Sequence, residues 1–261
     1  MTITGARQHE RRVPAQRTVR RGARTNEGFR RPPAVLRRKA ARLDRILEAH
    51  YGRPKPRARR DAVSTLVHTI LSQNTSDVNS RRAFERLRAK FPSWEAVCDA
   101  PVETVIEAIR VAGLSTLKGP RIQGVLRRML AERGRLSLDF LRRWPIDRAK
   151  AWLQGFDGVG PKTAAIVLIF GLGRPAFAVD THVYRVGRRV GLIPAGLSVA
   201  AAHDWLEGVI RRERYGPFHL LLVRHGREIC GARRPRCGVC PARRACDFYA
   251  RWADPRSDSV P

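Results

Sequence analysis

An all-α fold is predicted by three features of the sequence. Segments of helical length, with apolar residues near 3.6-residue spacing, follow one another from Ala34 toward the last cysteines. Gly and Pro punctuate them. Runs with strand alternation are scarce, and no Asn-Gly or Asp-Gly turn joins two such runs.

The first segment, AVLRRKAARLDRILEAHYG, sets Leu36, Leu43, Ile46 and Leu47 near helical spacing and stops at Gly52 and Pro54. Further helices are expected over roughly 61–73, 77–91, 94–99, 102–111, 118–132, 137–141, 147–153, 161–171, 181–190, 198–212 and 217–225. The lone Asp157-Gly158 pair opens one of these instead of a hairpin. Residues 1–31 hold nine arginines and two glutamates without apolar periodicity, which is the composition of a disordered basic arm. Residues 247–261 are polar, contain two prolines and are expected to form a tail.

A formal net charge of +29 on 261 residues speaks about partners more than about fold. Polyanions are indicated, nucleic acid first, with ribosomes or an anionic membrane surface as the other takers. No stretch approaches the roughly 20 apolar residues of a membrane span. The N-terminal charges have no apolar segment behind them, so a secretory signal is not expected. A soluble intracellular monomer, in the cytoplasm or on the nucleoid, is the expectation.

Four of the five cysteines crowd into residues 230–246, as C-x6-C-x2-C-x5-C at Cys230, Cys237, Cys240 and Cys246. Such clustering reads as a metal or cluster site in a reducing compartment. Four thiolates could hold zinc or a four-iron cluster; structural zinc more often uses two close pairs, and only Cys237 and Cys240 form one. Cys98 stands apart as a core residue.

Only six of the 52 basic residues are lysine, and one of them, Lys162, ends the hairpin GFDGVGPK. Gly158 and Gly160 flank Val159, Pro161 takes the first helical position, and an apolar helix follows. The glycines allow close backbone approach and the helix start points unpaired N–H groups outward, a seat for phosphate. Arginine would serve such a contact equally well, but it cannot shed its proton and act as an amine nucleophile. Burial and the positive end of a helix both lower a lysine's pKa. An amine so placed can attack an anomeric carbon, expel a base and leave a Schiff base, from which the strand breaks by β-elimination. Asp180, in VDTHVYRV, is either a helix cap or a carboxylate that accepts the lysine's proton and offsets charge on the sugar.

The stretches LQGFDGVGPKTAAIVL, AVDTHVYRVGRRVGL and HGREICGARRPRCGVCPARRACDFY, with ILSQNTSDVNS upstream, resemble the endonuclease III family of DNA glycosylases, from about residue 34 to 249. The resemblance implies a two-lobed helix–hairpin–helix enzyme. Its helical barrel would span 54–173, and a second lobe of 34–53 and 174–249 would hold a [4Fe–4S] cluster on the four cysteines. A basic arm over 1–33 and a tail over 250–261 would flank them. Lys162 would be the nucleophile on one wall of the cleft and Asp180 the catalytic carboxylate on the other. The implied partner is double-stranded DNA carrying damaged bases or abasic sites.

An enzyme acting on a base inside a duplex must flip it out and fill the gap. By the resemblance, Asn74 and Leu114 fall at the gap-filling positions. The family commonly has glutamine at the first, so Gln73 could take over from the shorter Asn74. Asp77 is expected to cap the helix after it, and Lys118 to meet a phosphate. Gly158, Gly160 and His182 join the DNA-contact set. Arg233, Arg234 and Arg236, in a loop pinned at both ends by metal, would face the DNA backbone.

Two other classes explain less. A DNA-binding module without activity has no use for Lys162 and Asp180 together, and an iron–sulfur electron carrier leaves most of the chain unexplained. Adenine-specific relatives carry a glutamate at the position of Thr69. A threonine hydroxyl does not protonate a purine nitrogen at neutral pH, so oxidised pyrimidines are the expected substrates. Removing residues 1–31 should weaken binding to damaged and undamaged duplex alike, since the arm's charge carries no base information. Affinity measured at several salt concentrations should then show a shallower slope, and an unchanged slope would mean that the arm never touches the backbone.

Overall fold

The structure is a computed structural model that describes residues 32–54 and 61–252. The expected basic arm, residues 55–60 and the segment beyond 252 lie outside the described residues. Among those described there is no strand, and no helix is long and apolar enough to cross a membrane.

One core is built around α2 (Ala62–Leu71), whose sequence AVSTLVHTIL is mostly apolar and, apart from the half-buried His68, buried along its length. Asp61 caps it, accepting the Ser64 amide at 2.8 Å. Around α2 pack α3 (Asp77–Lys90), α4 (Trp94–Asp99), α5 (Val102–Ala108), α6 (Ser115–Arg133), α7 (Ile146–Gln154) and α8 (Pro161–Ile166). Ser76 and Ser93 cap α3 and α4 through their hydroxyls. The expected cap Asp77 is therefore corrected: the cap lies one residue earlier, and the Asp77 carboxylate instead takes both arms of Arg227, at 2.6 and 3.1 Å.

Several helices differ from expectation at their ends, each for a local reason. The helix expected over 102–111 breaks at Ile109, and a tight 3-10 turn, Arg110–Ala112, follows. α6 starts at Ser115, not 118. Leu114 sits in the left-handed region (φ 50°), and its carbonyl accepts the amides of Leu117 and Lys118, which draws residues 115–117 into the helix. The segment expected as one helix over 161–171 is α8 followed by a π turn, Val167–Gly171. The 137–141 segment is a 3-10 turn, Asp139–Arg143.

From the π turn the chain passes through a buried, extended stretch, residues 176–179, into a second core. This core joins α1 (Ala34–Tyr51), α9 (Thr181–Arg189), α10 (Val199–Val209) and α11 (Tyr215–Glu228). α10 ends at Val209 because Ile210 is extended (ψ 145°), while α11 is longer at both ends than the expected 217–225. The expected tail is also corrected: residues 247–252 form a short helix, α12, whose Asp247 pairs with Lys39 of α1.

Helix α1 is held to the second core by charge as well as apolar contact. The guanidinium of Arg214 forks onto Asp44, at 2.6 and 2.9 Å, and reaches Glu48 at 3.1 Å. Asp44 and Arg214 are both largely buried. Removing one partner of such a pair leaves an uncompensated charge in the interior, so Asp44→Ala should cost about 3 kcal/mol in urea denaturation. Replacing both residues with leucine or methionine should recover most of that loss.

Candidate active site

The hairpin between α7 and α8 is anchored from below. Phe156 and Val159 insert into the first core, and the Val159 amide closes the turn on the Phe156 carbonyl at 3.2 Å. Gly158 has φ 72°, where a side chain is strained, and a Cβ there would run into the side chain of Arg121. Gly160 is extended and caps α8, its carbonyl accepting the Ala164 amide at 3.0 Å. The Gly158 carbonyl accepts from Gln73 Nε2 at 2.9 Å. Gln73 therefore braces the hairpin, which corrects its expected part as a substitute gap-filler. Its neighbour Asn74 is exposed, with φ 51°.

Lys162 lies half-buried in the first turn of α8, and among the described residues its ammonium has no hydrogen-bond or ion-pair partner. Asp180 caps α9, its Oδ1 accepting the Val183 amide at 2.8 Å. Both act on the buried ring of His219 in α11. Burial holds that imidazole below its usual pKa, Asp180 pulls it up, and Lys162 and Arg227 push it down. Two residues from two different cores are thus within electrostatic reach of one side chain. His219 Nδ1 faces the Ala178 carbonyl at 2.9 Å, and since a carbonyl only accepts, Nδ1 carries the proton. The Asp77–Arg227 pair ties α3 to α11 beside this site.

Lys118 does not meet a phosphate. Its side chain is 1% exposed, and its ammonium donates to Leu71 O at 2.8 Å, Thr75 Oγ1 at 2.6 Å and Ala112 O at 3.1 Å. Burial alone lowers its pKa to about 8. Leu114 is 53% exposed at the tip of the neighbouring loop.

The four clustered cysteines carry free thiols and line one cavity below α9 and α11. Arg185 and Arg189 of α9 hold the loop that carries them. Arg185 Nε donates to Cys230 O at 3.0 Å, and Arg189 reaches Gly231 O at 2.6 Å and Ala232 O at 2.8 Å. α9 and α11 approach closely at Gly226, where a Cβ would come within 2.8 Å of His182 Cβ. His182 Nδ1 lies 3.1 Å from Arg185, so its ring turns toward this junction. Arg236 is taken up by the Glu228 carbonyl, which closes the loop on the end of α11. Arg233 and Arg234 are exposed without a partner among the described residues.

Burial, with mutual repulsion behind it, raises the thiol pKa values of Cys237 and Cys246 and takes Cys240 to about 11. Clustered thiols ionise once a cation compensates them, so the four-cysteine donor set suits a metal centre. Among the described residues no three His, Cys, Asp or Glu side chains group closely enough to hold a single metal ion.

The sequence profile of the HhH-GPD superfamily of base excision DNA repair proteins matches residues 67–204, more than half of the chain. The chain belongs to this superfamily. It is 32% identical over 213 residues to endonuclease III of Escherichia coli K12, covering 80% of this chain and 96% of that one. An Arabidopsis thaliana protein named as a DNA glycosylase is 40% identical over 165 residues, 63% of this chain; the match spans little more than half of that relative, 56%. Among solved structures, a trapped covalent intermediate of endonuclease III with DNA superposes with a TM-score of 0.70 at 27% identity, over 84% of this chain and 99% of that one.

Within this HhH-GPD chain, the residues that sequence reasoning missed all come from α9 and α11. His219 stands in the apolar run FHLLLV, and Arg185, Arg189 and Arg227 are three among many arginines. Their partners lie at least 40 residues away in sequence, apart from His182, so no local pattern marks them.

Proposed function

We propose that this superfamily member is a bifunctional DNA glycosylase that removes oxidised pyrimidines from duplex DNA and then cleaves the abasic site as a lyase. The observation that carries this reading is Lys162. It is a half-buried lysine at the end of a glycine hairpin, unpartnered among the described residues, with Asp180 acting on the same buried histidine.

The Lys162 ammonium first passes a proton to Asp180, whose Oδ1 is engaged by the Val183 amide and whose other oxygen is left to receive it. Neutral Nζ attacks C1′, the C1′–N bond breaks, and the base departs with its electron pair and takes up a proton. The sugar ring opens to a Schiff base between Nζ and C1′. Loss of a C2′ proton then expels the 3′ phosphate by breaking the C3′–O bond, and water frees the lysine. Asp180, ionised again, offsets positive charge on the sugar. The trapped covalent complex of the structural neighbour with DNA supports a covalent route.

Thr69 supports pyrimidine over adenine. Its hydroxyl is buried and donates to the Thr65 carbonyl at 2.6 Å, so this position offers no acid to a purine. An oxidised pyrimidine stacks and pairs poorly and costs less to flip. Cys230, Cys237, Cys240 and Cys246 would hold a [4Fe–4S] cluster, which would serve as a cross-link that fixes the loop bearing Arg233 and Arg234 toward the DNA backbone.

Lys162→Gln should abolish borohydride trapping on duplex containing thymine glycol while leaving duplex affinity near normal; a surviving adduct would assign the nucleophile to another amine. Single-turnover rates should show release of thymine glycol with little excision of adenine opposite 8-oxoguanine, and the reverse order would overturn the substrate reading. Purified protein should be yellow-brown with about four irons per chain. Cys237→Ser should lower iron content and DNA binding together, whereas stoichiometric zinc in protein made with ample iron would refute the cluster.

A further inference from the structure

A lysine fully inside the protein, with no carboxylate among its hydrogen-bond partners, requires a reason. Lys118 is among the largest fully buried side chains of the molecule. Its three protons match three acceptors: Leu71 O, Thr75 Oγ1 and Ala112 O. Leu71 is the last residue of α2, and Ala112 the last of the 3-10 turn before α6. The ammonium thus sits on the carbonyl ends of two helical elements, where the local dipoles favour a cation. Thr75, having accepted from Lys118, donates its own hydroxyl to Ala112 O, which closes a small network between two loops. Arginine, abundant everywhere else in the chain, could not take this place, because its planar fork is too wide for three acceptors converging on one point.

The two loops so joined carry an unusual pair of residues. Among the described residues, Asn74 and Leu114 are the only non-glycine residues with positive φ, 51° and 50°. Both are exposed, and Leu114 is an apolar side chain offered to solvent. Each such conformation is strained for a residue with a side chain and persists only where the surroundings over-determine it. Asn74 adjoins Thr75, and Leu114 lies two residues beyond Ala112, so the surroundings in question are the acceptors of Lys118. Side chains that enter a duplex must arrive at a set separation, and loops that drift would lose that separation without losing the fold.

We propose that Lys118 is the positioning residue for duplex opening: its buried ammonium clamps the 72–76 and 110–114 loops together so that Asn74 and Leu114 enter the DNA as one preformed wedge. This rests on the glycosylase reading above, in which the gap left by a flipped base must be filled.

The test uses a duplex with 2-aminopurine opposite a stable tetrahydrofuran abasic analogue, so that unstacking is read as fluorescence without any chemistry. The full chain should raise the fluorescence on binding. Lys118→Met should abolish most of that rise and slow single-turnover excision from paired duplex by about tenfold, the size of coupling seen between side chains of one network. Borohydride trapping at an abasic site in single-stranded DNA, where nothing has to be opened, should stay within about twofold of the unmodified protein. Thr75→Val, a milder change to the same network, should act in the same direction. In a Leu114→Ala background, Lys118→Met should have little further effect, because the wedge is already gone. Equal losses on single-stranded and duplex DNA would mean that Lys118 serves only the fold and would overturn the proposal, as would independent, multiplicative effects of Lys118→Met and Leu114→Ala. Absence of excision by the unmodified protein would count against the glycosylase reading alone, since the fluorescence arm still reports the wedge.

Discussion

Two buried histidines hold the extended stretch 176–179 where the chain crosses from one core to the other. His203 takes the Phe177 carbonyl at 3.0 Å and His219 the Ala178 carbonyl at 2.9 Å. Burial keeps both rings below their usual pKa, so they serve as neutral donors that satisfy backbone groups which no helix or sheet covers. The Phe177 amide is met from the other side by Glu207 at 2.9 Å. With this crossing fixed, Asp180 arrives at the N-terminus of α9 on one core while Lys162 stands at the start of α8 on the other. The crossing brings the two together; neither helix alone could.

α9 carries this order further. Its first turn is capped by the candidate catalytic carboxylate, and about two and a half turns later Arg189 grips the loop of the cysteine site. One helix thus spans from Asp180 to the loop that bears Arg233 and Arg234. Under the proposed function, α9 would tie the cysteine loop to the site of chemistry even though no cysteine approaches Lys162 in sequence.

The basic residues divide their labour by geometry. Arginines close loops and helix ends by donating to carbonyls, as Arg127 does to Cys98, Arg185 to Cys230 and Arg236 to Glu228. Lysines are few, and their places are specific. Lys39 and Lys150 lie in ion pairs, with Lys150 bridging α7 to Asp204 and Glu207 of α10; Lys118 lies inside, and Lys162 lies half-buried at the start of α8. A compact point charge on a flexible stem suits the buried position of Lys118, where a planar guanidinium would not fit.

The sequence by itself determined the helical class, the hairpin with its lysine and the four-cysteine spacing, because each is written in local pattern: periodicity, turn chemistry and short motif. The helix around Asp180 was legible for the same reason. Helix starts were legible where a capping side chain or a proline marks them, as Ser93 marks α4 and Pro161 marks α8. The start of α6 was missed because Leu114 carries no sign that it adopts a left-handed turn, a conformation imposed by packing. The fate of Lys118 and Gln73 was decided by tertiary structure alone. A lysine or glutamine beside a loop reads as a surface contact until the acceptors that face it are known. Those acceptors are backbone carbonyls, which every residue has, and only the fold selects which of them converge.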